Sequence, residues 1–583
     1  MAKPETVRQL LFAGVSDDDL LRYGVPTEWL SDVRAATEDS LLTIADHLPS
    51  EAAEALLELA TGGRPRMPQL MPLRVSPFDH PDAQRRFRVM GNIEELQRAL
   101  DSPWDKWTIF LHPEQRELVE HDFAGPARVS GSAGTGKTIV ALHRAVFLAR
   151  NHTDSRVLLT TFSETLANAL RVRLRRLISN EPRLAERLEV HAINTIGERL
   201  YERHFGKPKL ATGETVTKFL IEAAKSSTEK NLSLGLLQSE WEEIVDAWRL
   251  DSWESYRDIK RLGRKTRLPE SKRKVLWSIF DAVRHRLSEE GVVTIAGMFY
   301  RLADQLAERK QLPFDFAVID ESQDMAVPQL RFLAALGASR PNALFFAGDL
   351  GQRIFQLPFS WLSLGVDIRG RSQTLRVNYR TSHQIRTQAD RLLAPEVADV
   401  DGNAEERRGT VSVFNGPPPV VLTCESLEAE VKLVADWLSA RYQEGVAPHE
   451  IGVFVRSDAE IERARAAVAK SGLAFRVLQE NLETGGKNVS IGTMHLAKGL
   501  EFRAVAVMAC DDEIVPLQSR IESVTDEADL EEVYNTEQHL LYVACTRARD
   551  HLLVTGVAPV SEFLEDLVAE SEPRKRVSQR AAG

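Results

Sequence analysis

Eight residues, Gly131-Ser132-Ala133-Gly134-Thr135-Gly136-Lys137-Thr138, have the types and spacing to wrap backbone amides around the phosphates of a nucleotide. The glycines let the chain turn tightly and come close to the phosphates, and Lys137 supplies a point charge. Thr138 places a hydroxyl where a magnesium ion would need an oxygen ligand. A second cluster, Asp320-Glu321-Ser322-Gln323-Asp324, directly follows the apolar run Phe316 to Ile319. There Asp320 can complete a magnesium shell with Thr138, and Glu321 can take a proton from the water that attacks a γ-phosphate. Read as an acidic loop capping the next helix, this cluster would leave Lys137 and Thr138 without the carboxylates that such a site needs.

Both clusters need elements to position them. Ala127 to Ser130 reads as a short strand and Thr138 to Ala149 as a helix with an apolar face, so the glycine loop falls between strand and helix, where helix N-terminal amides face the phosphates. Apolar, β-rich runs recur between helical stretches: Val157 to Thr161, Phe316 to Ile319, Ala343 to Ala347, Ile451 to Val455, Val489 to Ile491, Ala504 to Met508 and His551 to Thr555. That alternation predicts an α/β protein with parallel sheets flanked by helices. The interval from Ile196 to Pro313 breaks it. Largely helical, tryptophan-dotted and basic, it reads as an inserted helical domain. At the other end, residues 1–63 read as short helices. The prolines 65, 68, 72, 77 and 81 then mark a linker.

Composition bounds what these elements can do. A chain of 583 residues, 43% hydrophobic and 27% charged, can bury a large core and has room for about three to five domains. No apolar run approaches the roughly 20 residues needed to cross a bilayer. Asp17-Asp18-Asp19 stands where a secretory leader would continue, so a cytoplasmic protein with no membrane partner is expected. Cys424, Cys510 and Cys545 are too few and too scattered for a disulfide framework or a four-cysteine metal site. The net charge of −11 argues mildly against a nucleic-acid coat protein, although the positive residues are grouped. Nine Lys or Arg lie between Arg257 and Lys274, and Arg171, Arg173, Arg175 and Arg176 form a second group, each readable as a phosphate contact or as a solvated helix face.

Further short boxes follow in order. They are Leu111-His112-Pro113-Glu114-Gln115, Thr161-Phe162-Ser163, Gly348-Asp349-Leu350-Gly351-Gln352, Asn378-Tyr379-Arg380, the run Thr493 to Phe502, and Tyr542-Val543-Ala544-Cys545-Thr546-Arg547-Ala548. With the glycine loop and the acidic box, this ordered set resembles superfamily 1 helicases of the UvrD and Rep type over residues 111 to 556. The resemblance implies two RecA-like parallel-sheet domains of the P-loop NTPase class, with a helical insertion in the first and an N-terminal helical module. The expected division is 1–63 module, 64–100 linker and lead-in, 101–200 and 301–365 first domain, 201–300 insertion, 366–570 second domain and 571–583 tail.

It further implies an ATP-dependent DNA helicase or translocase, working with magnesium on single-stranded DNA or single-strand/duplex junctions, 3′ to 5′, in repair or replication. By the family pattern Gln115 reads the adenine edge, Tyr379 and Arg144 sandwich the ring, and Glu501 contacts the ribose. Gln352, Arg380 and Arg547 meet the triphosphate beside the loop residues 131–138, and Phe162, Phe355 and His495 hold the strand.

Two departures stand out. The family's tryptophan after the third box is Leu357 here; Trp361 reads as its substitute or, if it packs in the core, base stepping would be weaker than in the family. Only Gln479 to Lys487 fills the place where relatives usually carry a mobile accessory domain, so translocation is expected more than vigorous unwinding. The competing expectation is a nucleic-acid-stimulated ATPase switch that signals to a protein partner. Residues 1–63 read as a docking module for a protein partner or as a structural cap, with docking favoured.

Overall fold

The structure, a computed structural model, describes residues 11–60 and 111–568 apart from 13, 24, 26–28, 46–47, 49, 112, 179–180, 228–231, 260–267, 310, 350–358, 394–395, 399–400, 403, 407–409, 413–414, 479–486 and 523–526. It forms two compact units, residues 1–107 and 108–583. Within the first, helices Asp17–Arg22, Leu30–Arg34, Glu38–Ala45 and Ser50–Ala60 enclose a small core that includes Phe12, Leu20, Val33, Leu41 and Leu56. The Ser16 hydroxyl accepts from the Asp19 amide at 3.2 Å, capping the first of them. The expected linker at 64–100 and the tail at 571–583 lie outside the described residues.

The second unit contains two six-stranded sheets. The first is built from β1 (Ala127–Ser130), β2 (Val157–Thr161), β3 (Leu188–Ala192), β4 (Phe316–Ile319), β5 (Leu344–Ala347) and β6 (Ser372–Thr374). Its spatial order is β3-β2-β4-β5-β1-β6, with every neighbouring pair parallel. The second sheet is built from β7 (Val420–Cys424), β8 (Ile451–Val455), β9 (Phe475–Val477), β10 (Val489–Thr493), β11 (Phe502–Val507) and β12 (Ala548–Val557). It runs β7-β12-β11-β8-β10-β9 and is again wholly parallel. These are the two RecA-like α/β domains that the sequence predicts.

Parallel strands joined by helices are covered on both faces, which is why they read as continuous apolar runs. In β2, Val157 and Leu159 enter one core while Leu158 enters the other, as the two-residue period of a strand requires. β8 repeats the pattern, with Phe454 on one side and Val453 and Val455 on the other. The helices between β3 and β4 supply a separate core around Phe219, Trp241, Tyr256 and Phe280. Trp248 packs against both that core and the first sheet's, so it joins the insertion to the domain that carries it.

β9 and β10 pair as parallel neighbours, Phe475 opposite Val489, with only residues 478–488 to connect them. No accessory domain fits within that connection. Among the described residues no helix is long and apolar enough to cross a membrane, and all three cysteines are buried free thiols.

Candidate nucleotide site between two parallel-sheet lobes

The order of the first sheet explains where the chemistry sits. β4, β5 and β1 are adjacent, so their carboxyl ends bring Asp320, Asp349 and the glycine loop side by side. The loop leaves β1 and ends at Gly136, which caps helix Lys137–Asn151 with φ at 86°. Gly134 has φ at 88°, and a Cβ there would run into the Asn378 side chain. At Gly136 it would meet the Gln115 amide. Glycine therefore supplies both the left-handed backbone and the room.

Lys137 is buried, with Nζ donating to the carbonyls of Gly131 at 2.6 Å and Ser132 at 2.9 Å, and 3.8 Å from Asp349 Oδ2. Its ammonium thus lies inside the curl of the loop, where phosphate oxygens would replace the carbonyls. Thr138 Oγ1 donates to Asp320 Oδ1 at 3.3 Å. Burial, and then the charge of adjacent Glu321, push the Asp320 carboxyl above its usual range. A hydroxyl and a carboxylate so placed form a hard oxygen donor set that fits magnesium, which takes one or two protein oxygens and keeps waters and substrate phosphates for the rest. Among the described residues there is no group of three His, Cys, Asp or Glu that could hold a metal ion.

Glu321 has φ at 53°, a left-handed conformation uncommon for a residue other than glycine. Gln323 Nε2 donates to Glu321 Oε2 at 2.6 Å, and Gln323 Oε1 accepts from the Asp349 amide at 3.0 Å. The two strand ends are thereby tied together. Burial alone would raise the Glu321 carboxyl, but Lys498, Lys137 and Arg547 outweigh it and hold the group below its ordinary value. An ionised carboxylate at this position is what a proton-accepting role requires.

Two of those three cations belong to the second lobe. Arg547 stands immediately before β12, 1% exposed, its Nε on the Val543 carbonyl at 2.9 Å and its NH2 on Thr546 Oγ1 at 3.3 Å. Burial and the neighbouring Arg380 lower its guanidinium to about 10, against the opposing pull of Glu321 and Glu501. Arg380 NH1 donates to Glu501 Oε1 at 3.0 Å, and Arg173 from the first lobe reaches the same oxygen at 3.8 Å. The segment that leaves the first sheet also closes on the glycine loop: Asn378 Nδ2 donates to Ala133 O at 2.7 Å and the Tyr379 amide to Gly134 O at 3.0 Å. Lys137, Glu321, Arg380, Arg547 and Glu501 therefore share one electrostatic neighbourhood.

The model of the UvrD/REP helicase N-terminal domain matches residues 111–359, and that of the UvrD-like helicase C-terminal domain matches residues 478–558. The chain belongs to the UvrD/Rep helicase family. It is similar to a "Probable DNA helicase" of Mycoplasma pneumoniae, 24% identical over 77% of this chain and 83% of that one. "ATP-dependent DNA helicase UvrD2" of Mycobacterium tuberculosis is 26% identical over 63% of this chain, which spans about half of that relative (55%). The solved C-terminal domain of a possible DNA helicase from Lactobacillus plantarum, 26% identical over 32% of this chain and 93% of its own, superposes with a TM-score of 0.23, too partial for comparing folds.

Membership of the UvrD/Rep family does not carry every residue role with it. Gln115 lies against the loop, its Nε2 donating to Thr135 O at 3.0 Å, and Tyr379 is half-buried beside Gly134. Arg144 does not join Tyr379 in a sandwich and is corrected to a core residue. It is 0% exposed and donates to the carbonyls of Val119 at 2.6 Å and His121 at 2.8 Å and to Asn342 Oδ1 at 2.8 Å, surrounded by the rings of Phe123, Phe147 and Phe345. With its donors pointed into the domain it presents no face to an adenine.

Trp361 is likewise corrected. Only 5% exposed, it meets Phe346 edge-on with centroids 4.8 Å apart and lies under Arg128, so it packs the sheet and cannot stand in for a base-stacking tryptophan. Phe162 is half-buried under the Lys498 ammonium, 5.6 Å from its ring centroid. His495 is half-buried, and burial followed by Arg456 and Arg520 lowers its imidazole to about 4. Gln352, Phe355 and Leu357 lie outside the described residues, as do five of the nine basic residues between Arg257 and Lys274.

Of the second basic group, Arg171 holds Glu164 and the Val190 carbonyl, a structural role. Arg173, in the same group, faces Glu501 across the lobes. The sequence reading gave no role to Asn378, Gln323 and Lys498, which lie inside boxes already singled out but whose partners are far away in the chain.

Proposed function

We propose that the chain hydrolyses ATP between its two lobes and uses the resulting opening and closing to travel along single-stranded DNA. The observation that carries this reading is the convergence on Glu321 of Lys137 from one lobe and of Arg547 and Lys498 from the other. In hydrolysis a water oxygen bonds to the γ-phosphorus, the bond to the β–γ bridging oxygen breaks, and the water's proton passes to Glu321. Magnesium held at Thr138 and Asp320 supplies charge neutralisation on the phosphate oxygens. Arg380 and Arg547 hold the γ-phosphate only while it is present, so its release loosens one lobe from the other. If the two lobes grip the strand differently in each state, every cycle moves them one way. Travel 3′ to 5′ follows the family precedent.

Displacement of streptavidin from biotinylated single strands tests it. ATP-dependent release from the 5′ end and not from the 3′ end is the expected result. A second reading, an ATPase switch, is favoured by the burial of Trp361 and the short connection at residues 478–488. DNA-stimulated hydrolysis without release from either end would select it.

A further inference from the structure

Lys498 lies where three features meet. It follows the short helical turn Met494–Ala497 and precedes Gly499, whose φ of 76° redirects the chain. That turn is seated on the first lobe, because the space beside Gly499 is filled by the Leu166 side chain, on the helix that begins two residues after Phe162. The Lys498 ammonium, 1% exposed, donates to Asp324 Oδ2 and stands 4.0 Å from Glu321 Oε2. It also lies over the Phe162 ring, 5.6 Å from the centroid. One cation from the second lobe therefore touches the acidic box of the first lobe and a candidate strand-holding aromatic at once.

A buried ammonium interacts strongly and over short range, because no water screens it. At 4.0 Å from Glu321 Oε2 and bonded to Asp324 it helps fix where the acidic box stands, so a shift of the cation shifts the carboxylate that must face the attacking water. The Phe162 ring is part of what fixes the distance, since the cation rests on its face. A base stacking on Phe162 competes for the ring and repositions the cation.

We propose that Lys498 is the positioning residue through which a single strand seated at Phe162 reports to Glu321, so that strand occupancy sets the rate of hydrolysis. The inference rests on the proposed reading of a DNA-stimulated ATPase. The groups facing Glu321 include Lys498, Lys137, Arg547 and Asp320, with Gln323 bonded to it, and Lys498 also lies over the Phe162 ring.

The test compares kcat and KM for ATP with and without oligo(dT) for the full chain and for Lys498→Met. The stimulated-to-basal ratio of kcat should fall by about tenfold or more, while KM for ATP and oligo(dT) affinity each change by less than about threefold. Lys498→Arg, which keeps the charge, should restore part of the ratio. A ratio within about twofold of the parent for Lys498→Met, or no rescue by Lys498→Arg, overturns the proposal. Should Lys498→Met fail to fold, Asp324→Asn carries the test, since removing the carboxylate that holds the ammonium should lower the ratio by more than about twofold, and a smaller change overturns the proposal. A parent protein showing no stimulation by oligo(dT) would instead sink the underlying reading of function.

Discussion

The two lobes share one architecture and use opposite ends of it. In the first, the site residues emerge at the carboxyl ends of β1, β4 and β5, where a helix N-terminus and a glycine loop make a fixed cradle. In the second, Glu501 and Arg547 stand just before the amino ends of β11 and β12. The first lobe thus offers backbone amides and, in the proposed reading, oxygens for a metal, and the second offers side-chain charges that would withdraw as the lobes part. A parallel sheet is enough to build a binding site, whereas a motor also needs a second sheet whose contributions are conditional on the γ-phosphate.

Substitutions should separate cradle from clasp. Glu321→Gln removes the proton acceptor while leaving the loop intact, so turnover should drop by about 10²–10⁴ with ATP affinity nearly unchanged, as single-turnover kinetics would show. Were ATP affinity to fall instead, Glu321 would belong to the cradle. Lys137→Ala acts on the cradle itself, and equilibrium titration should show triphosphate affinity reduced by about 2–3 kcal/mol, the worth of a charge-assisted contact.

Arg144→Ala should sharpen the comparison from outside the site. Thermal or chemical unfolding is expected to show a loss of about 2–4 kcal/mol, from carbonyls left unpaired and from vacated ring contacts, with KM for ATP unchanged. A raised KM without destabilisation would return Arg144 to the adenine. The smallest effect concerns His495. Its folded-state value of about 4 lies below the ordinary 6.5, so the unfolded chain binds the proton first and stability is lost as pH falls through that window. His495→Gln should flatten that part of the stability–pH curve, and an unaltered slope would show that the imidazole is solvated.

Much of the first lobe was legible because its chemistry is contiguous: a strand, a loop and a helix within 25 residues, Ala127 to Asn151, and a strand followed directly by its carboxylates. The second lobe's arginines were legible only through family order, since nothing near Arg380 or Arg547 says what they face. Arg144 was misread because its role was carried over from the family pattern; its burial is imposed by Phe123 and Phe345, which no local pattern joins to it. Trp361 was misread similarly, its fate fixed by Phe346 on β5. The Lys498 to Asp324 contact spans 174 residues and two lobes. Only tertiary structure brings the two boxes together.

The clasp can be measured through the γ-phosphate alone. Binding of ADP and of ADP with aluminium fluoride should be compared in the parent and in a variant carrying both Arg380→Ala and Arg547→Ala. The expected result is unchanged ADP affinity and a loss of about 10²-fold or more for the transition-state analogue, because charge that develops at the γ-position is what the second lobe holds. Equal affinity of parent and variant for the analogue would contradict a site shared between lobes.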